Sequence, residues 1–249
     1  MQEIKCKPEQ FPRAEFEALG YELAIHGLNQ WNGVAIASKV GIADVEIGFP
    51  GMPGFSKNGE PEPEARAIGA TVGGVKAWSL YVPNGRALDD PHYTYKLEWL
   101  AALREYASEW NATNSEVPLA LGGDWNIAPT DADNGDPDLG PGSTHISAPE
   151  REVFASFFEA GFTDPVREFV PTGYTYWDYQ RLKFPKNEGI RIDFIIGNQA
   201  LKDRSIGAWI DRDERKGDGP SDHVPVVLEI TDRAVSGDSD FDFDEPMVF

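Results

Sequence analysis

The sequence predicts an α/β fold, with two β-sheets packed face to face and helices outside, in one domain spanning residues 1–230. Three observations carry this reading. Short apolar runs outnumber helical stretches, several of these runs are adjacent, and only two segments have a clear helical period.

The expected strands cover residues 33–37, 65–72, 75–82, 117–122, 191–196, 208–210 and 224–230, each a short apolar run. In the first helix Tyr93, Leu97, Leu100, Arg104, Ala107 and Trp110 fall close to one largely apolar face, and Asp89 or Asp90 is placed to cap its start. The second helix covers about 148–160, with Val153, Phe154, Phe157 and Phe158 inward and Gly161 as the stop. Long polar loops at 50–63, 128–148 and 179–189 lie between these elements, where function is usually carried. Residues 131–141 are acidic and read as lacking apolar anchors. Residues 231–249 read as an acidic, disordered tail.

The chain has 249 residues, enough for one large domain, and 41% of them are hydrophobic, enough for a real core. Its net charge of −20 argues against non-specific attraction to nucleic acid, because a polyanion is repelled. Part of that charge is local. The tail holds six acids and one base, which leaves −15 for the body. One cysteine, Cys6, allows no internal disulfide. The start has no apolar signal region, and no apolar run reaches the roughly 20 residues of a membrane span. A cytoplasmic monomer with no membrane partner is therefore expected.

Six polar motifs can carry chemistry. In Gly122-Gly123-Asp124-Trp125-Asn126, an apolar strand runs into an acid and an amide two residues apart. On extended backbone these point the same way, so the carboxylate can take a proton from water while the amide holds a phosphoryl oxygen. In Ser221-Asp222-His223, neighbouring acid and imidazole face opposite ways at a strand start, one suited to a metal and one to substrate. In Arg191-Ile192-Asp193-Phe194, an acid interrupts a buried strand and needs a partner. His223 is the natural one and Arg191 the structural alternative. Gln2-Glu3 with Lys5 reads on its own as solvated charge. Tyr81-Val82-Pro83-Asn84-Gly85 reads as a strand end and turn. Tyr174 to Tyr179 holds four aromatics ahead of Arg181, Lys183 and Lys186, a combination that suits stacking on a nucleic acid or, more plainly, core packing.

Taken in order from Gln2 to Ile230, these motifs resemble the exodeoxyribonuclease III and abasic (AP) endonuclease branch of the endonuclease/exonuclease/phosphatase superfamily. The resemblance implies a DNase I-like four-layer α/β sandwich. It also implies a Mg²⁺-dependent DNA-repair nuclease, with Mn²⁺ as a substitute, acting on double-stranded DNA at abasic sites and 3′ ends. By resemblance, Glu3 and Asp222 serve the metal, Asp124 activates water and Asn126 holds the scissile phosphate. His223, paired with Asp193, donates to a phosphate oxygen. Tyr81 assists at the phosphate, Asn84 contacts the DNA backbone, and Trp177 lines the abasic-sugar pocket. Two further readings stay open: another phosphodiesterase or phosphatase of the superfamily, and an inactive DNA-binding remnant. The family also opens with a strand and helix of about 30 residues ahead of the Gln-Glu motif. Either the start is placed too late or the chain is truly truncated; in the second case one sheet is expected to be a strand short, and Glu3 to lie on a fraying end.

Overall fold

The computed structural model describes residues 1–232. The acidic tail lies almost wholly outside the described residues.

Among the described residues there are nine strands: β1 (Glu22–His26), β2 (Val34–Ser38), β3 (Ala43–Ile47), β4 (Ala67–Val72), β5 (Val75–Tyr81), β6 (Leu119–Asp124), β7 (Asp193–Gly197), β8 (Ser205–Ile210) and β9 (Val226–Ile230). Six α-helices accompany them in the same residues: α1 (Arg13–Ala18), α2 (Pro91–Asn114), α3 (Ala148–Glu159), α4 (Pro165–Phe169), α5 (Lys183–Lys186) and α6 (Gln199–Lys202). The main sheet runs β3-β4-β5-β6-β7, and only its β5–β6 pair is parallel. The second layer consists of two separate antiparallel ribbons, β1-β2 and β8-β9. All seven expected strands form, within two or three residues at their ends. β1 and β3 were not expected; β3 is largely exposed, so its sequence shows no buried stripe.

One face of the main sheet is covered by α2 and α3. Trp78, Leu80 and Leu121 meet Trp99, Leu103, Phe154 and Phe157 in the principal core. On the other face Ile68 and Tyr81 pack against Ala24 and Val34 of the β1-β2 ribbon. Asp90 caps α2, accepting from the His92 backbone N–H at 2.8 Å. The buried stripe of α2 is broader than expected and centres on Tyr95, Lys96, Trp99, Leu103 and Tyr106. In α3, Phe154 and Phe157 face inward, but Phe158 is exposed, contrary to expectation. The buried stripe of this helix runs through Glu150, Phe154 and Phe157, and Phe158, one residue on and so about 100° further round, falls at its edge. Gly161 takes φ 91 and ends the helix, the left-handed turn that glycine adopts freely.

Two expectations are overturned. The acidic loop does have anchors. Leu139 packs by Ile190 and Ile192, while Asp131, Asp133 and Asp138 pair with Arg151, Arg167 and Arg181 at 2.7 to 2.9 Å. The N-terminal residues are tied to β2 rather than frayed. The Met1 ammonium donates to the Ala35 carbonyl at 2.8 Å and Gln2 bridges to Val34. Ile4 and Lys5 then donate to the Gly33 and Asn32 carbonyls.

Candidate active site

Strand register sets the first row of the site. Tyr81, the last residue of β5, stands opposite Asp124, the last residue of β6. Asp124 in turn stands opposite Asp193, the first residue of β7. Directly opposed residues project to the same face, so three neighbouring strand ends deliver a phenol and two carboxylates side by side. Asp193 is held by the hydroxyl of Thr175, which accepts from the backbone N–H of Ile192 and of Asp193, both at 3.1 Å.

Loops supply the rest. His223 Nδ1 lies 2.9 Å from Asp193 Oδ2, so the buried acid has taken the imidazole as its partner. Arg191 instead donates to the Val170 carbonyl and lies 3.8 Å from Asp164. Burial disfavours the imidazolium, but Asp193, Asp124 and Asp222 outweigh that and raise the His223 pKa to about 10. His223 therefore stands as a cation that donates from both ring nitrogens. Burial also pushes Asp124 up, to about 7, with Asp193 adding to the rise and His223 opposing it. An acid in that position can hold or release a proton near neutral pH. Glu3 receives hydrogen bonds from Lys5 and Tyr81. Burial opposes its charge, but those bonds and the Lys5 ammonium hold its pKa below the usual carboxylate range. Burial and the Glu3 carboxylate together keep the Tyr81 phenol protonated, with its pKa driven upward.

Asp124 and Asn126 do meet, but not by strand alternation. Asn126 lies past the strand end in a left-handed turn at φ 53. Its backbone N–H donates to Asp124 Oδ1 at 2.8 Å, and its amide donates to Asp124 Oδ2 and to the Val82 carbonyl at 3.0 Å. Its amide hydrogens are thus spent on the protein. Asn84, exposed at the end of the β5 turn, donates to Asn126 Oδ1 at 3.2 Å.

Glu3, Asp124, Asp193, Asp222 and His223 line one cavity of about 700 Å³. Tyr81, Asn126 and Asn84 join it through the hydrogen bonds above. Trp177 stands apart. It is fully buried beside Phe184 and lines a second cavity of about 770 Å³. From the same segment it is Tyr176 that reaches the site, its ring 4.9 Å from that of His223. The basic residues after Trp177 are largely consumed within the chain. Lys183 is buried against Asp136 and Asp138, and Arg181 pairs with Asp138 at 2.9 Å. One neighbour of the site, His145, gave no signal in the sequence, being a lone imidazole in a polar loop.

For a metal, Glu3 and Asp222 offer hard oxygen ligands. The Lys5 ammonium, 2.6 Å from Glu3, occupies the place of a cation beside this carboxylate. Among the described residues no three His, Cys, Asp or Glu side chains converge closely enough to hold an ion by themselves.

The profile of the endonuclease/exonuclease/phosphatase family matches residues 1–223. The chain belongs to this family. Exodeoxyribonuclease III of Haemophilus influenzae is 29% identical over 243 residues, covering 92% of this chain and 88% of its own. Among solved structures, the 3′–5′ exonuclease of Neisseria meningitidis is 37% identical with a TM-score of 0.83. An AP endonuclease from Archaeoglobus fulgidus is 32% identical with a TM-score of 0.82. Each of the two comparisons covers 92% of this chain and 87% of the other. These likenesses place the chain in the exodeoxyribonuclease III and AP endonuclease branch of the endonuclease/exonuclease/phosphatase family, with its DNase I-like fold. It is a nuclease of a metal-dependent family. No helix among its described residues is long and apolar enough to cross a membrane.

Proposed function

We propose that this chain is a Mg²⁺-dependent DNA-repair nuclease that hydrolyses the phosphodiester 5′ to abasic sites and clears nucleotides or blocking groups from 3′ ends of duplex DNA. The observation that carries this reading is the row Tyr81, Asp124 and Asp193 with His223 paired to its end, all beside Glu3. Asp124 takes the proton of the attacking water as the water oxygen bonds to phosphorus. The bond from phosphorus to the 3′ oxygen of the preceding nucleotide breaks, and that oxygen leaves as a 3′ hydroxyl after taking a proton from solvent. The imidazolium of His223, fixed by Asp193, donates to a non-bridging phosphate oxygen as charge builds there. Tyr81, kept protonated, turns its one hydroxyl proton from Glu3 to the same phosphate. Asn126 acts chiefly by fixing Asp124, and Asn84 faces the DNA backbone.

A divalent cation, with Mn²⁺ able to replace Mg²⁺, would neutralise developing negative charge at the phosphate. Glu3 and Asp222 would hold it, with water completing the shell, as Mg²⁺ prefers. Trp177, buried here, bears on substrate through the segment it anchors, which presents Tyr176 and Tyr179. The net charge of −20 fits a protein that relies on this site, rather than on a basic surface, to engage DNA.

The test offers the 249-residue chain three substrates with Mg²⁺: a duplex with one abasic site, supercoiled plasmid and a phosphoinositide. Cleavage 5′ to the abasic site, at least tenfold preferred, supports the reading. Preference for the plasmid or the lipid assigns another activity of the superfamily. DNA binding with no turnover of any substrate assigns the inactive remnant.

A further inference from the structure

Beneath Asn84 and Asn126 lies a polar cluster that the reading above leaves unused. Lys96, fully buried, donates to the backbone carbonyls of Asn126 at 2.7 Å and Asn84 at 3.2 Å and pairs with buried Glu150. Glu150 in turn accepts from the backbone N–H of His145 at 2.9 Å. His145 is held at φ 72, a left-handed conformation that few residues other than glycine adopt, histidine, asparagine and aspartate more readily than most. Strained backbone of this kind persists where the surroundings over-determine it, and it gathers at functional sites.

The ring of His145 has only one consistent state. Nδ1 lies 2.6 Å from the Asn126 carbonyl oxygen, which can only accept, so Nδ1 carries the proton. Nε2 lies 3.4 Å from Asn84 Nδ2, which can only donate. Nε2 must therefore be the bare nitrogen of a neutral imidazole. Burial and the nearby Lys96 ammonium oppose a second proton. Asn84 is then fixed at three points. Its Nδ2 faces His145 Nε2 and Asn126 Oδ1, and its Oδ1 accepts from the Arg86 backbone N–H at 3.0 Å.

We propose that His145 is a positioning residue of this nuclease, whose neutral ring sets the amide orientation of Asn84 above Asn126. This rests on the phosphate-facing role given to Asn84. The inserted acceptor links two turns, one after β5 and one after β6, that have no covalent reason to hold a common register. It works through Asn84 and touches no substrate.

Two measurements test this. Nitrogen NMR of the wild-type imidazoles is expected to show His145 as the Nδ1–H tautomer at pH 7. The Nε2–H tautomer, or a protonated ring, overturns the proposal. The second is a double-mutant cycle on abasic-duplex cleavage. His145→Asn tolerates left-handed backbone and keeps a donor at the Nδ1 position, but loses the acceptor at Nε2. It is expected to cut turnover about tenfold with an unchanged melting temperature. In an Asn84→Ala background the same substitution is expected to change turnover less than twofold, because its target is gone. Wild-type turnover in His145→Asn, or equal losses in both backgrounds, overturns the positioning role. Asp124→Asn separates this from failure of the functional reading. If that variant cleaves as the wild type does, the active-site assignment itself falls. If it is inactive while His145→Asn loses nothing, only the His145 inference falls.

Discussion

His223 Nδ1 and Asp193 Oδ2 are joined at 2.9 Å, and this contact decides the charge of the imidazole. Asp193→Asn keeps the shape of the acid and removes its charge. The His223 pKa should drop towards its ordinary value, and the ring should become neutral near pH 8. Abasic-site cleavage should fall by roughly 10–100-fold while the fold is kept, as for other residues that orient a catalytic group. Single-turnover cleavage and circular dichroism check this. A rate within threefold of wild type would show that the pair is structural.

Asp124→Asn should separate activity from stability. The buried carboxylate is costly in its charged form, which is why its pKa lies near 7. Asparagine keeps the size and removes the charge, but it turns one accepting oxygen into a donor facing Asn126, so the two effects oppose and the melting temperature at pH 8 should stay within a few degrees of wild type. Cleavage should fall by about 100-fold or more, since no group remains to take the proton of water. Thermal melts and cleavage on the same preparation test both halves.

The sequence made the main sheet and most of the site legible for separate reasons. Buried strands such as β5 and β7 announce themselves because both faces need apolar residues. The polar interruptions at Asp124 and Asp193 stand out against that background. What could not be read is register: nothing local says that Tyr81, Asp124 and Asp193 form one row, because that depends on strand pairing across more than a hundred residues. β3 was invisible because its side chains face solvent. The segment around Trp177 could be read as stacking aromatics beside basic residues or as core; the loop acids neutralise much of that basic charge, and the ring packs inward. His145 carried no pattern, since its role comes from a tertiary contact alone.

Activity should need Mg²⁺ or Mn²⁺ and stop in excess EDTA, whereas Zn²⁺ should not support it. Zn²⁺ favours clustered thiolates and imidazoles, and the chain has one cysteine and four histidines with no such spacing. Glu3→Gln should raise the Mg²⁺ concentration for half-maximal rate about tenfold or more. A metal titration of both proteins on the abasic duplex gives the answer. Full activity of the wild type in EDTA would disprove the dependence, and an unchanged titration for the variant would remove Glu3 from the metal.

Stability should carry the mark of His92, which is 3% exposed and packs against Phe55 and Tyr95 at ring distances of 4.8 and 5.4 Å. Its Nδ1 accepts the Gly85 backbone N–H at 3.1 Å, so the folded ring is neutral. Burial, helped by Arg66 and Arg86, lowers its pKa to about 4 from an ordinary 6.5. Between those values the unfolded chain binds a proton that the folded chain refuses, and unfolding gains as pH falls. The contribution is intact above about pH 6.5 and is lost progressively down to about pH 4, by up to about 3 kcal/mol. Asp124 titrates in the same window with the opposite sign, its folded pKa being raised, so the net curve does not isolate either group. The comparison that does is His92→Asn, which keeps an acceptor at the Nδ1 position and cannot titrate. Denaturant unfolding of both proteins at half-unit steps from pH 7 to pH 4.5 should show the variant losing less stability on acidification, the gap widening steadily below pH 6.5. Parallel curves across that range would mean that the folded protein protonates His92 as readily as the unfolded chain does, and that the Gly85 contact does not hold the ring neutral.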